Sequence, residues 1–128
     1  MKRPVLVVDD DSGLREILRL ALETEGYEVI AVRDGLEALQ QIERERPALV
    51  LLDWMMPRMD GPAFVAELEA RGLRRRLPVL LLTAANGAHE RGAKIAADGV
   101  VTKPFELPEL LAEVDRLVAS GCASPTVG

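Results

Sequence analysis

Five polar residues stand at the ends of short apolar runs. Asp9 and Asp10 follow "VLVV", Asp53 follows "ALVLL", Thr83 ends "VLLLT" and Lys103 follows "GVVT". A buried carboxylate without a partner is very costly, so Asp53 needs a compensating group or an open strand end. Carboxylates, a hydroxyl and an ammonium group could together hold a cation and accept an anion, provided that the fold brings them together.

The apolar runs predict the strands that position these residues. The runs are rich in valine and leucine and mostly do not alternate with polar residues. This pattern is typical of strands buried on both faces of a parallel sheet. The predicted strands comprise residues 5–8, 28–32, 48–52, 79–83 and 99–102.

Helical patterns separate the strands, and three of them begin with capping residues. Asp11 or Ser12 is predicted to cap the first helix, and Asp34 the second. Asp60 is predicted to cap the third helix, with Pro62 in its first turn, where a missing N–H costs little.

The remaining helix predictions rest on the apolar spacing. In the second helix, Leu36, Leu39 and Ile42 are expected to face the core. The fourth helix, at roughly 88–97, is short and alanine-rich, and the fifth begins near Pro108.

Five rounds of strand and helix predict an α/β fold with a parallel sheet. A chain of 128 residues is too short for an eight-stranded barrel. We therefore predict a flavodoxin-like fold, a doubly wound five-stranded sheet in the order 2-1-3-4-5 with five helices. The domain is expected to span 1–119, followed by a flexible tail over 120–128.

The composition limits the possible functions. Hydrophobic residues make up 48% of the chain and the formal net charge is −5, which argues against a nucleic-acid surface. No apolar stretch approaches the roughly 20 residues of a membrane span. The single cysteine, Cys122, cannot form an internal disulfide. We expect a cytoplasmic protein, monomeric or weakly dimeric, with no membrane insertion.

In this fold, Asp9, Asp10 and Asp53 converge. The carboxyl ends of parallel strands share one edge, and strands 1 and 3 are neighbours where the strand order reverses. Like charges at such distances repel, and a divalent hard cation removes the conflict. Mg²⁺ suits a site with few carboxylates, several waters and a phosphate-type ligand.

Thr83 and Lys103 would add a hydroxyl donor and a compact positive charge at the same edge. Phosphoryl transfer depends mainly on positioning and on neutralising the equatorial oxygens. A carboxylate nucleophile, a metal, a hydroxyl and a lysine are sufficient to form an aspartyl phosphate.

The segments "LVVDDD", "LLDWMMPRMDG", "LLLTAA" and "VTKPF" resemble the motifs of the receiver domain of two-component response regulators. The match spans about residues 3–119. The resemblance implies that Asp53 accepts a phosphoryl group from a phosphohistidine of a sensor histidine kinase or histidine phosphotransfer protein. It also implies that Thr83 and Lys103 contact that group, and that the Lys103–Pro104 bond is cis.

The resemblance further implies a magnesium site. Asp10 and Asp53 would bind Mg²⁺ directly, together with the backbone carbonyl of Met55. Asp9 would act mainly through water.

Three departures from the family pattern lead to predictions. Val100 stands where receivers usually have an aromatic ring that rotates on activation, so that part of the switch is missing. Met55 and Ala85 cannot orient a water for attack on the acyl phosphate, which predicts slow self-dephosphorylation. Thr83 and Lys103 are 20 positions apart, about two fewer than is common in the family, and Gly87 and Gly92 also weaken the fourth helix, so residues 86–92 are predicted to be mobile without phosphate.

The expected function is therefore a phosphorylation-driven switch that binds an unidentified downstream protein, through the surface of helix 4, strand 5 and helix 5. It would catalyse only its own phosphorylation and slow dephosphorylation. The alternative is a constitutive protein-binding module of the same fold that is never phosphorylated. A dehalogenase-like phosphatase is disfavoured, because such enzymes need a second aspartate where this chain has Met55.

Overall fold

The computed structural model describes residues 3–56 and 58–123, in which five strands and five helices alternate along the chain. The strands are β1 (Val5–Val8), β2 (Val29–Val32), β3 (Leu49–Asp53), β4 (Val79–Ala84) and β5 (Gly99–Lys103). The helices are α1 (Ser12–Thr24), α2 (Gly35–Arg44), α3 (Gly61–Ala70), α4 (Ala88–Lys94) and α5 (Leu107–Ala123). The apolar runs thus predicted every strand to within one residue at each end.

The strands form one parallel sheet in the order β2-β1-β3-β4-β5, which confirms the predicted fold class and strand order. β1 pairs with both β2 and β3, and Val8 lies beside Val32 on one side and Leu52 on the other. The chain order therefore reverses between β1 and β3. Ligand sites in open α/β sheets lie at the carboxyl ends of the strands beside such a reversal.

Helices cover both faces of the sheet, which explains why the strands lack polar alternation. Successive residues of a strand enter different cores: Leu6 and Leu52 pack with Phe64 of α3 on one face. Val7 and Leu51 pack on the other face with residues of α1 and α5. Both faces of the central strands are therefore buried and require apolar side chains.

Aspartates begin the first three helices, as the sequence predicts. The Asp11 carboxylate accepts hydrogen bonds from backbone N–H groups of the first turn of α1. Asp34 caps α2 and Asp60 caps α3 in the same way, and Pro62 lies in the first turn of α3. These bonds satisfy N–H groups that have no partner within the helix.

Three helix predictions are wrong in detail. Leu36 is 41% exposed, because the buried stripe of α2 consists of Gly35, Ala38, Leu39 and Ile42, and Leu36 lies beside that stripe on the helix surface. Helix α4 ends at Lys94 rather than 97, since Ala96 adopts a left-handed conformation and the next N–H bonds back into the helix. Helix α5 continues to Ala123, and after Pro108 in its first turn no proline occurs until 125.

The rest of the predicted tail, residues 124–128, lies outside the described residues. None of the helices in the described ranges has the length and apolarity that crossing a membrane requires.

Candidate functional site

An ion pair between Asp53 and Lys103 forms the centre of the candidate site. Asp53 is the last residue of β3 and is 6% exposed, and Lys103 is the last residue of β5. The Lys103 Nζ donates a hydrogen bond of 2.8 Å to Asp53 Oδ1. The ammonium group reaches across the end of β4, which separates the two strands in the sheet. The strand ends thus give Asp53 the compensating charge that a buried carboxylate needs.

Asp9 and Asp10 join this pair from the end of β1. Each of the three aspartates offers a carboxylate oxygen, and these oxygens all lie within 4.8 Å of one another. Asp9 is buried, whereas Asp10 is exposed. The Asp9 Oδ1 accepts a bond from the Asp11 N–H, and its Oδ2 is buried without a hydrogen-bond partner. The predicted convergence of the three carboxylates is therefore confirmed.

The buried carboxyl groups resist ionisation. Burial raises the pKa of Asp9 to about 6. The hydrogen bond from the Asp11 N–H opposes this shift, and the negative charge of Asp53 adds to it. Burial also raises the pKa of Asp53, although the hydrogen bond and charge of Lys103 oppose the shift. Burial lowers the pKa of Lys103, but the hydrogen bond to Asp53 and the negative charges of Asp53, Asp9 and Asp11 together outweigh it, so the net shift is upward. This cluster has excess negative charge that a bound cation would relieve.

The loop after Asp53 is fixed at both ends. The Trp54 N–H donates to the carbonyl of Leu82, and the Trp54 carbonyl accepts from Gly61 at the start of α3. Arg58 has a positive φ and forms an ion pair with the buried carboxylate of Asp34. The loop is therefore fastened to β4, α3 and the N-terminus of α2.

Met55 lies in this loop, and its side chain is 73% exposed. Its carbonyl as a metal ligand stays a prediction.

Thr83 is buried near the end of β4, but its hydroxyl bonds to a residue that sequence reasoning missed. The Thr83 Oγ1 accepts a hydrogen bond of 2.9 Å from Arg91 Nη1. The Arg91 guanidinium carbon also lies 5.7 Å from the centroid of the Trp54 ring. Arg91 was missed because a single arginine in a short polar helix resembles any solvated surface residue.

Two other sequence predictions concern neighbouring positions. The Lys103–Pro104 peptide bond is cis, as predicted. Val100 is only partly buried and packs against the core formed with α2 and α3.

Comparison with known proteins places these features in one family. Residues 5–115 match the family model described as response regulator receiver domain. Response regulator MprA of Mycobacterium leprae is 44% identical over 116 residues, which cover 89% of this chain and 50% of that protein. The chain thus spans about half the length of the curated relatives it matches.

Solved structures give the same result. The signal receiver domain of a signal transduction histidine kinase from Syntrophus aciditrophicus is 34% identical with a TM-score of 0.84, over 92% of this chain and 91% of that one. The Vibrio cholerae chemotaxis protein CheY4 is 31% identical with a TM-score of 0.82, over 91% and 99% of the respective chains.

Proposed function

Because this chain belongs to the response regulator receiver domain family, we propose that Asp53 accepts a phosphoryl group from a partner's phosphohistidine. The donor would be a sensor histidine kinase or a histidine phosphotransfer protein. One observation carries the proposal: the Asp53 carboxylate lies among two further carboxylates and 2.8 Å from the Lys103 ammonium.

The transfer would convert the Asp53 carboxylate into an acyl phosphate. A carboxylate oxygen attacks phosphorus, the P–N bond of the phosphohistidine breaks, and its electron pair goes to the imidazole nitrogen. Lys103 opposes the effect of burial and favours the ionised, nucleophilic form of Asp53. After transfer, Lys103 and the Thr83 hydroxyl are within the same strand-end cluster and would hold the phosphoryl oxygens.

The acidic cluster fits a divalent cation. Receiver domains bind Mg²⁺ at clusters of this kind, and here three carboxylate oxygens converge while the buried Asp9 Oδ2 has no partner. Hard oxygen ligands of this number suit Mg²⁺. We propose that Asp10, Asp53 and the Met55 carbonyl hold the ion directly, and that Asp9 acts through water. The ion would neutralise charge on the carboxylates and the incoming phosphoryl group.

The output of this switch would be phosphorylation-dependent binding of a downstream protein. We propose the surface of α4, β5 and α5 as the binding face, where Glu106 and Glu109 are exposed. Receiver domains are signalling domains, and this chain would catalyse only its own phosphorylation and slow dephosphorylation.

Intact-mass measurement after incubation with acetyl phosphate and Mg²⁺ tests the proposal. We expect one phosphoryl adduct in the wild type, none without Mg²⁺ and none in Asp53→Asn. The matched control is Asp115→Asn, in an exposed residue of α5 whose carboxylate bonds to Tyr27 rather than to the site.

The alternative, a constitutive binding module, makes the opposite prediction. A folded protein that binds Mg²⁺ but gains no adduct, either from acetyl phosphate or from histidine kinases, would favour that module. Sustained turnover of a generic phosphate ester would instead indicate a phosphatase.

A further inference from the structure

Arg91 connects helix α4 to the candidate phosphorylation site through three contacts. Its Nη1 donates to the Thr83 hydroxyl at 2.9 Å and to the Asn86 carbonyl at 3.1 Å. Its guanidinium also lies over the ring of Trp54, the residue directly after Asp53, within the distance of a cation–π contact. A single side chain therefore links the hydroxyl at the end of β4, the loop after Asp53 and α4.

Helix α4 is short, and its backbone packs on β5 and β4. The helix has seven residues, and its N-cap is Gly87, which has a positive φ and no side chain to cap it. A Cβ added at Gly92 would lie 2.6 Å from Val100 Cγ2. The backbone of α4 thus rests directly on β5 at Val100, the position where the family usually has a ring. The Arg91 contacts are the ones that connect α4 to Thr83 and to the loop after Asp53.

The hydroxyl of Thr83 can respond to a phosphoryl group while bonded to Arg91. Because Arg91 donates its N–H, the Thr83 oxygen acts as acceptor and the hydroxyl proton is free to point elsewhere. A phosphoryl group carries about −1.5 to −2 charge near neutral pH and offers three strong acceptors. The hydroxyl proton would be attracted to it, and the planar guanidinium of Arg91, which is bonded to the same hydroxyl oxygen, would follow the movement of Thr83.

We propose that Arg91 is a positioning residue that couples Thr83 to α4, and so transmits the state of Asp53 to the α4 surface. Val100 has no ring to turn between buried and exposed positions. The guanidinium, which contacts both Thr83 and Trp54, connects the site to α4 in place of such a ring. This inference rests on the proposed function, because it requires a phosphoryl group on Asp53.

The test compares the wild type, Arg91→Ala and Arg91→Lys with a matched control, Lys94→Ala. Lys94 is an exposed cation in the last turn of the same helix. Each protein is treated with acetyl phosphate and Mg²⁺, and the adduct is quantified by intact mass. Two readouts then follow: amide hydrogen exchange across 88–94, and the emission of Trp54, the only tryptophan of the chain.

In the wild type and Lys94→Ala, we expect phosphorylation to slow exchange across 88–94 and to change the Trp54 emission. Arg91→Ala should gain the adduct to the same extent and lose both responses. Arg91→Lys keeps the charge but not the planar fork, so it should lose the slowing of exchange as well.

The possible failures are distinguishable. If Arg91→Ala gains the adduct and keeps both responses, or if α4 of the wild type does not respond, the coupling is refuted while the proposed function stands. If only Arg91→Ala lacks the adduct, Arg91 acts in the transfer itself and the coupling role is wrong. If no protein gains an adduct, the proposed function fails and the coupling fails with it.

Discussion

Lys103 and Asp53 form an ion pair, 2.8 Å from Nζ to Oδ1, across the width of one intervening strand at the carboxyl edge of the sheet. The carboxylate is 6% exposed, whereas about a third of the lysine side chain is accessible. Among the described residues, Lys103 is the only cation that forms an ion pair with Asp53. The stability of the metal-free protein should therefore depend on it.

Replacing Lys103 by alanine leaves the Asp53 carboxylate buried without its hydrogen-bonded partner. We expect the free energy of unfolding near neutral pH without metal to fall by about 2 kcal/mol, as for other hydrogen bonds to charged groups. Mg²⁺ should restore part of this loss, because a bound cation replaces the missing charge. Urea denaturation with and without Mg²⁺ measures both effects, with Lys94→Ala as the control. An equal loss in both conditions would contradict this explanation.

Asp9 should make the metal-free protein less stable as the pH rises. Its pKa is about 6 in the folded chain against an ordinary value of 3.8. Between these values the folded state binds more protons than the unfolded state, so the free energy of unfolding falls with rising pH and the full penalty applies above pH 6. The penalty is of the order of 1–3 kcal/mol, at 1.36 kcal/mol per pKa unit.

The variant Asp9→Asn isolates this effect. The free energy of unfolding of Asp9→Asn, minus that of the wild type, should increase between pH 4 and pH 7. The cost of burying the amide does not depend on pH, so it leaves this increase unchanged. Thermal unfolding without Mg²⁺ across that range measures the difference between the two proteins. A difference that does not vary with pH would show that Asp9 is not the group responsible.

Much of the fold and site could be predicted because their determinants are local. Each apolar run ends within one residue of the end of a strand, and parallel pairing brings Asp9, Asp53 and Lys103 to one edge. The three aspartate caps could likewise be predicted from the residues next to each helix start. In contrast, the contacts of Arg91 with Thr83 and of Arg58 with Asp34 depend on where long side chains lie across elements distant in sequence. The spacing of apolar residues along the chain does not reveal such side-chain contacts.

The exposed Leu36 has a related cause. Helical spacing identifies apolar residues on one side of a helix but does not fix how the helix is rotated against the sheet. In α2 the buried stripe also includes Gly35 and Ala38, which turns Leu36 toward solvent while Leu39 and Ile42 stay buried.

The phosphorylated protein should lose its phosphoryl group slowly. Met55 and Ala85 lie two positions after Asp53 and Thr83, and neither side chain can hydrogen-bond a water for attack on the acyl phosphate. Met55→Asn introduces such a group at a position that is 73% exposed and tolerates a polar side chain. We expect hydrolysis to accelerate about tenfold, equivalent to roughly 1.4 kcal/mol of the barrier.

The decay of the adduct mass with time, after removal of acetyl phosphate, measures this rate. Met59→Asn, four residues further along the same loop, controls for a general effect of asparagine there. If the wild type already loses the group as fast as Met55→Asn, the absence of a water-orienting side chain is not limiting.

Without phosphate, residues 86–92 should exchange their amide hydrogens faster than those of α1. Helix α4 has seven residues against thirteen in α1, and no side chain caps its N-terminus. Gly92 lies inside the helix, where glycine costs about 1 kcal/mol relative to alanine. Hydrogen exchange of the untreated protein, followed by mass spectrometry, compares the two helices directly. Protection of 86–92 equal to that of α1 would show that Arg91 and the contact of Gly92 with Val100 already hold the helix firmly, and that phosphorylation has little left to order there.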